Sequence, residues 1–339
     1  MARLFASQTL RRILIGLFLV LALALCELWL YAANKLGGYM HQPIYGGAPL
    51  VDYCASSEIA GFPFRLKLRC ANISTPVQTA AGEIFVRAQE AQGKASIFAP
   101  NHVILSLSSP VVLQKTDGAP FAKLRHDGLR LDISWSLHGV AKAELDADAV
   151  DWRPEAPEAG IAVNLRKLKA AIEPAAEGDG LHFDIDSQGV TAPALASIVK
   201  NGDLGQVSAS GKIVPTPRRA ASWRASVEQW RSHSGRLTID RLDWRAGEME
   251  ARVHGALRLN ESHIPVGRLN VAAKGAGPFI ARLVAPGANA GTKILLDAVL
   301  AKPAGAKGED AAIKLPLVLA RGHVFLGPFR LPVKLAPVY

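Results

Sequence analysis

Three acidic residues, Glu144, Asp146 and Asp148, are each separated by a single residue in the middle of the chain. In an extended strand this spacing places their carboxylates on one face, where they would suit a calcium ion. A calcium site also needs an oxygen-rich loop containing glycine, which the flanking sequence does not provide. We therefore favour a solvated strand face here, and the same interpretation holds for Asp184 and Asp186.

The sequence lacks the motifs of common enzyme classes. It has no Gly-x-Ser-x-Gly segment, no phosphate-binding loop, no dinucleotide fingerprint and no His-Glu-x-x-His pair. The nine histidines are scattered, and none forms a close pair of metal ligands. We therefore predict no catalytic residue, no metal site and no cofactor, and a protein that is not an enzyme.

Arginines are concentrated between residues 218 and 231, with Trp223 and Trp230 among them. This combination suits a surface that binds anionic lipid headgroups. The headgroup candidates are Arg218, Arg219, Arg224 and Arg231. A plain strand with exposed arginines explains the segment as well, and we favour it. The formal net charge of +10 favours anionic partners. Because no nucleic-acid motif or dense basic run is present, we expect membrane lipids and no nucleic acid.

Most of the sequence alternates between apolar and polar residues with a period of two, which predicts β-strands. The clearest example has Leu129, Leu131, Ile133, Trp135 and Leu137 on one face. Similar alternation recurs at 141–149, 181–185, 253–259, 313–319 and 329–335. Glycine and proline separate the runs, which predicts antiparallel pairing. Helical patterns occur at 192–201 and 278–285. The predicted fold is mainly β, with curved antiparallel sheet of many strands, a few short helices and one N-terminal transmembrane helix.

The transmembrane helix is predicted from an apolar segment that follows Arg3, Arg11 and Arg12. From residue 13 to 33 its one charged residue is Glu27, and about 20 residues suffice to cross a membrane. The positive flank should stay in the cytoplasm. We therefore predict a single-pass inner-membrane protein with an anchor at 1–35 and a periplasmic body at 36–339. Two alternatives stay open: cleavage as a signal peptide near Ala24, and acylation of Cys26.

The predicted body contains two cysteines, Cys54 and Cys70. Cysteine pairs in exported proteins usually form disulfides, and closing a loop of this length is worth about 3 kcal/mol. We predict that the two are bonded, with two separate buried thiols as the alternative. The segment offers too few further ligands for zinc.

Two segments share a pattern that suggests an internal duplication. Gly128 and Gly235 each open an alternating strand, and an Asp-Trp pair follows at 151–152 and at 243–244. The body would then consist of two similar halves that meet near 153–160. Coincidence explains these two matches equally well.

Several short motifs resemble those of a known family. They are the segment from Cys54 through Gly61-Phe62-Pro63-Phe64-Arg65 to Cys70, the segments 253–259 and 265–269, and the closing segment 322–328. With the apolar anchor, they resemble the alphaproteobacterial family catalogued as domain of unknown function 2125. The resemblance implies a membrane-anchored envelope protein without catalytic residues. The hairpin with Gly255 and Gly267 is more loosely similar to AsmA-like envelope proteins, which are associated with lipid transport.

The functional hypothesis follows from an aliphatic sheet face that has too few predicted helices to cover it. We predict a non-enzymatic, membrane-anchored envelope protein that binds or transfers lipid along an apolar β-groove. The predicted groove residues are Leu131, Ile133, Trp135, Leu257 and Leu259. The alternative is a scaffold or assembly factor that binds another envelope protein through a sheet edge, and a hydrolase of envelope material ranks third. The composition also allows a closed sandwich or barrel.

Overall fold

The computed structural model of the protein describes residues 2–42, 48–79, 82–137, 139–176, 178–196, 199–217, 220, 222–284 and 312–338. The α-helices within these ranges are α1 (Ala2–Met40), α2 (Trp223–Ser232) and α3 (Gly277–Val284). The strands are β1 (Ser56–Ala60), β2 (Arg65–Thr79), β3 (Gly82–Ser96), β4 (Ala99–Leu107), β5 (Val111–Lys115), β6 (Pro120–Arg125), β7 (Gly128–Ser136), β8 (Gly139–Pro154), β9 (Val163–Pro174), β10 (Leu181–Thr191), β11 (Asp203–Val214), β12 (Arg236–Ala246), β13 (Met249–Leu259), β14 (Pro265–Lys274), β15 (Ile313–Ala320), β16 (His323–Leu326) and β17 (Phe329–Lys334).

The described strands pair in antiparallel fashion and form one large sheet. β1 pairs with β2, and β2 pairs with β3. The long strand β3 pairs with both β4 and β5, which continue into β7 and β6 respectively. Both β6 and β7 then pair with β8, which rejoins the two branches. From β8 to β17, each strand pairs with the next one along the chain. The predicted antiparallel, mainly β fold is confirmed.

The helices agree only partly with the sequence patterns. α3 lies where a short helix was expected. The expected helix at 192–201 is instead two 3-10 turns, Pro193–Leu195 and Lys200–Gly202. The strand interpretation of the arginine-rich segment is wrong, because residues 223–232 form α2. The Ser222 side chain caps this helix by accepting a hydrogen bond from the Ala225 backbone N–H at 3.2 Å.

α1 is long and apolar enough to cross a membrane over Ile13–Met40. Its most apolar part is not buried against the rest of the protein. This agrees with the predicted anchor, although the helix extends five residues beyond the expected end at 35. At the expected junction between two halves, β8 and β9 pair directly from Ala143 to Trp152. The ladder therefore continues past 153–160, and the internal duplication stays a prediction.

Buried apolar residues form two small clusters. In one, α3 packs on the C-terminal strands. Ile280 belongs to the same buried cluster as Met249 and Phe329, and Phe279 lies edge-on to Trp244 at 5.3 Å. The other joins residues of β3, β6 and the turn after β8. No large side chain within the described ranges is fully buried. Over this part of the chain, the core is therefore thin and discontinuous.

The predicted disulfide between Cys54 and Cys70 is present, with a Cα–Cα distance of 5.3 Å. It joins the segment before β1 to the middle of β2, where Cys70 is buried. β1 contributes only five residues to the ladder. The disulfide therefore holds a short terminal strand on the sheet by a covalent bond.

His126 is buried where the ladder divides into two branches. Its backbone N–H donates to the Ser109 hydroxyl at 3.0 Å, which joins the bend between β6 and β7 to the bend between β4 and β5. Its ring nitrogens have no hydrogen-bond partner among the described residues. Burial lowers the pKa of the imidazole, and the nearby Asp127 carboxylate opposes that shift only in part. The folded protein therefore favours neutral His126.

We expect the free energy of unfolding to fall as the pH drops below about 6.5, the ordinary pKa of histidine. The unfolded chain takes up a proton there, whereas folded His126 does so only at lower pH, so acid favours unfolding. Urea unfolding across pH 5–8 should show a shallower fall for His126→Gln than for the parent. His254→Gln, which changes an exposed histidine, serves as the control. Equal pH slopes for the parent and His126→Gln would contradict this role.

Candidate functional site

Directly paired residues of an antiparallel ladder point to the same side of the sheet. One row of such residues takes one member from each of β1–β4 and β7–β15, and it contains only aliphatic residues and glycine. The row consists of Ile59, Leu68, Gly93, Leu105, Leu131, Leu145, Ala170, Ile185, Ala209, Leu242, Val253, Val271 and Leu315. The sheet therefore carries an unbroken apolar line across most of its strands.

Two parallel rows widen this line. The second row consists of Leu66, Ala95, Val103, Ile133, Ala143, Ile172, Phe183, Gly211, Ile239, Gly255, Leu269, Leu317 and Leu326. The third, from β10 to β16, consists of Leu181, Ile213, Leu237, Leu257, Gly267, Leu319 and Val324. We call these three rows the apolar face. Its members are mostly aliphatic, and Phe183 is its one aromatic residue.

The opposite side of the sheet, the polar face, has charged and hydroxyl groups at the same level. A row that is offset by one residue consists of Glu58, Arg69, Gln92, Ser106, Arg130, Asp146, Lys169, Asp186, Ser208, Asp243, Arg252, Ala272 and Lys314. Opposite charges alternate along parts of this row, with Lys169 3.7 Å from Asp146 and Arg252 3.8 Å from Asp243. The sheet is therefore strongly amphipathic.

The acidic triplet lies on this polar face beside lysines. Glu144 contacts Lys142 at 2.7 Å, Asp146 contacts Lys169 at 3.7 Å, and Asp148 contacts Lys167 at 3.9 Å. Each carboxylate thus has a cationic neighbour, as a solvated strand face would provide. The described residues contain no group of three or more side chains that could hold a metal ion.

The sheet curls towards its apolar face. Val227 and Trp230 of α2 line one apolar pocket together with Ile213 and Leu257, so the helix lies on the apolar side. Arg224 of the same helix donates to the Thr79 carbonyl at 3.1 Å. That carbonyl lies at the end of β2. The pocket under α2 includes Ile213 of β11, and β11 is seven strand-to-strand steps from β2, or about 34 Å across a flat sheet. Only a curled sheet brings the two together.

The exposure of the apolar face changes along the sheet. Near α3 the face is covered, and Leu269 and Leu326 are buried. Towards β4 and β10 it is more open, since Leu105 is 38% exposed and Ile185 is 37% exposed. Next to α2 it contains a pocket of about 330 Å³ with entirely apolar exposed surface. This volume is at the lower end of the range for small-molecule sites.

The structure places all five predicted groove residues on or beside this face. Leu131, Ile133 and Leu257 are members of the first, second and third row. Leu259 pairs with Pro265 and lines the pocket. Trp135 pairs with Val140 at the end of β7 and is 39% exposed. The β7 and β13 residues are six strand steps apart, so they belong to one face without forming one pocket.

Of the predicted headgroup residues, the structure describes Arg224 and Arg231, and these two have different partners. Arg218 and Arg219 lie outside the described residues. Arg224 contacts Thr79, as described above. Arg231 donates to the Glu228 carboxylate through Nε at 2.9 Å and Nη2 at 2.5 Å, and His263 contacts the same carboxylate at 3.1 Å. Arg224 thus attaches α2 to the end of β2, whereas Arg231 pairs within α2, and headgroup binding stays a prediction.

Two glycines of the apolar face are required by close backbone approach. Gly255 has a φ of +148° and Gly267 a φ of +155°. A Cβ atom at Gly255 would lie 2.4 Å from the Arg268 carbonyl oxygen, and one at Gly267 would lie 2.3 Å from the Ala256 carbonyl oxygen. Any other residue here would strain the backbone or separate β13 from β14.

We expect Gly255→Ala to lower the free energy of unfolding by about 1–3 kcal/mol, because alanine is strained at this φ and meets backbone atoms. Gly93→Ala is the matched control on the same face. There the nearest neighbours of a new Cβ are Leu105 Cδ2 at 3.4 Å and Leu68 Cβ at 3.7 Å, which is ordinary contact. Its expected effect is neutral or up to about 1 kcal/mol stabilising. Denaturant unfolding of both variants measures this, and equal losses would refute the assignment.

The fold and this face define a mainly β protein with one N-terminal helix suited to a membrane, and with a continuous apolar face on a curled sheet. The family model described as an uncharacterized protein conserved in bacteria (DUF2125) matches residues 29–333. The chain belongs to this family, as its short motifs predicted. Searches of the curated proteins and of the solved structures gave no match. The looser similarity to AsmA-like proteins stays a prediction.

Proposed function

We propose that this protein is a non-enzymatic, membrane-anchored protein of the cell envelope that binds or transfers lipid along its apolar face. The observation that carries the proposal is the unbroken first row, which has no polar side chain from β1 to β15. Exposed aliphatic surface costs about 25 cal/mol per Å², so an open face of this kind favours an apolar occupant. Acyl chains match it, because they need no hydrogen-bond partners.

The length of the row favours several lipids, or one moving lipid, over a single tightly held ligand. Twelve strand-to-strand steps of about 4.8 Å give a path of about 58 Å. The hydrocarbon core of a whole bilayer is only about 30 Å thick. A single acyl chain would therefore occupy a fraction of the face, as a lipid in transit would.

The membrane anchor and the compartment are part of the same proposal. α1 would span the inner membrane once, with Arg11 and Arg12 on the cytoplasmic side. The body would then lie in the periplasm, where the bond between Cys54 and Cys70 is stable. Arg224 of α2, which is exposed, would face lipid headgroups beside the apolar pocket.

Substitution of one residue on the apolar face should separate lipid binding from folding. We expect the protein extracted in mild detergent to retain lipid in native mass spectrometry, and Ile133→Glu to lose it. Because Ile133 is half-buried, the new carboxylate can reach water, and the variant should lose less than about 2 kcal/mol of unfolding free energy. Ser134→Glu, on the polar face of the same strand, should keep both lipid and stability.

Absence of lipid from the parent, together with unfolding of Ile133→Glu, would indicate a closed core and contradict the proposal. The alternative function, a scaffold that binds another envelope protein through a sheet edge, would then be favoured.

The number of free thiols in intact cells tests the proposed topology. Cells should be quenched in acid, unfolded in denaturant and alkylated with a mass tag. The chain has three cysteines, and we expect one tag, on Cys26, because the other two are bonded. Reduction before alkylation should give three tags. Three tags without reduction would indicate a cytoplasmic body. No tag would indicate that Cys26 has been removed by cleavage or blocked by acylation, and the mass of the intact chain separates these two outcomes.

A further inference from the structure

Exposed apolar side chains cluster at the turns of one end of the sheet. Phe62 and Phe64 lie in the turn between β1 and β2, and Phe98 lies in the turn between β3 and β4. Leu137 lies in the turn between β7 and β8. Phe98 is 67% exposed and Leu137 is fully exposed. Together with Trp135 and Val140, which flank the last turn, we call these residues the apolar rim.

The three turns are neighbours in space. The rings of Phe64 and Phe98 stack with their centroids 6.1 Å apart, and the Ile97 N–H donates to the Phe64 carbonyl at 3.2 Å. Asn101 Nδ2 donates to the Trp135 carbonyl at 3.2 Å, which connects β4 to the end of β7. The rim is therefore one continuous surface, unlike the scattered exposed apolar residues that are common on proteins.

α1 touches the rim at a residue suited to a membrane interface. The Trp29 ring packs edge-on against Phe62 at 5.5 Å, and its Nε1–H donates to the Arg65 carbonyl at 2.9 Å. Trp29 lies 17 residues after Arg12, or about 26 Å along a helix, close to the thickness of the hydrocarbon core. Tryptophan is enriched at this depth, where the apolar core meets the headgroups.

The direction of α1 beyond Trp29 shows which end of the body is nearest the bilayer. The helix continues for 11 residues, about 16 Å, to Met40, which is buried. With Trp29 at the interface, this part of α1 therefore leads away from the hydrocarbon core. The rim, at the level of Trp29, is the part of the described body that lies closest to the membrane.

We infer that the apolar rim inserts into the outer interface of the same bilayer that α1 spans. This inference rests on the proposed anchoring by α1 and does not require lipid on the apolar face. Insertion removes the exposed aromatic rings from water, while the exposed Arg65 and Lys94 lie close enough to meet anionic headgroups. Since Ile133 of the second row is two residues from Trp135, insertion also opens the apolar face directly to the membrane.

Spin labels on the protein in nanodiscs of zwitterionic and anionic phospholipid test whether the rim lies in the bilayer. The measurement is how often each label collides with oxygen, which concentrates in hydrocarbon, and with a nickel complex, which stays in water. The full chain carries Cys26→Ser, and single cysteines replace Phe98, Leu137, Phe18 or Ile161. Phe18 reports the middle of α1. Ile161 is also exposed, but it follows the far end of β8, a strand about 50 Å long, and serves as the aqueous control. Two rim positions in separate turns guard against a variant that does not fold, and thermal unfolding checks each one.

We expect labels at Phe98 and Leu137 to collide more with oxygen than with the nickel complex, as at Phe18, and the label at Ile161 to show the reverse. Aqueous values at both rim positions, with Phe18 in hydrocarbon, would overturn the inference and leave the anchor intact. An aqueous Phe18 would instead refute the proposed anchoring. Rim labels shielded from both reagents and broadened by a nearby second label would show that another copy of the chain covers the rim, which also overturns the inference.

Discussion

The structure depends on the register of one antiparallel ladder. Side chains alternate between the two sides of a sheet, so a slip of one residue in any strand would move its apolar residues to the polar face. Over the residues of the three rows, the described strands avoid such a slip. In β12, Ile239 and Leu242 are three residues apart, a spacing that would place them on opposite sides of a regular strand. An irregularity around Asp240 and Arg241 keeps both of them on the apolar face. The continuity of the apolar face follows from this register.

The sequence predicted the type of fold better than the extent of the site. Alternation in β7 identified a strand and its apolar side, and the cysteine pair and the apolar N-terminal segment were equally recognisable. Much of the central face consists of small residues, such as Ala170, Ala209 and Gly211, whose periodicity does not stand out from that of polar neighbours. Pairing of strands distant in sequence also cannot be found from local pattern. α2 was predicted as a strand, although Ser222 is a residue type that commonly begins a helix and caps this one.

A protein that leaves an apolar face open must obtain its stability from other parts of the structure. Ladder hydrogen bonds and contacts within each row stabilise the middle. α3 buries apolar surface at the C-terminal strands, and the cluster around Phe121 buries it in the branch that β5 and β6 form. The disulfide holds β1 on the sheet. The hydrogen bond between Ser109 and His126 joins the bends at which the ladder divides, so that β4 with β7 and β5 with β6 fill the space between the long strands β3 and β8. Stability is thereby distributed along the ladder, so that the face need not be closed.

Photo-crosslinking in living cells tests the central claim, that the apolar face holds lipid, most directly. A benzophenone amino acid would replace Ile185, in the middle of the first row, or Asp184, which is exposed on the polar face of the same strand. With radiolabelled phospholipid, the account predicts that light attaches lipid to the chain at Ile185 and not at Asp184. Equal labelling at the two positions, or crosslinks from Ile185 to protein alone, would contradict it.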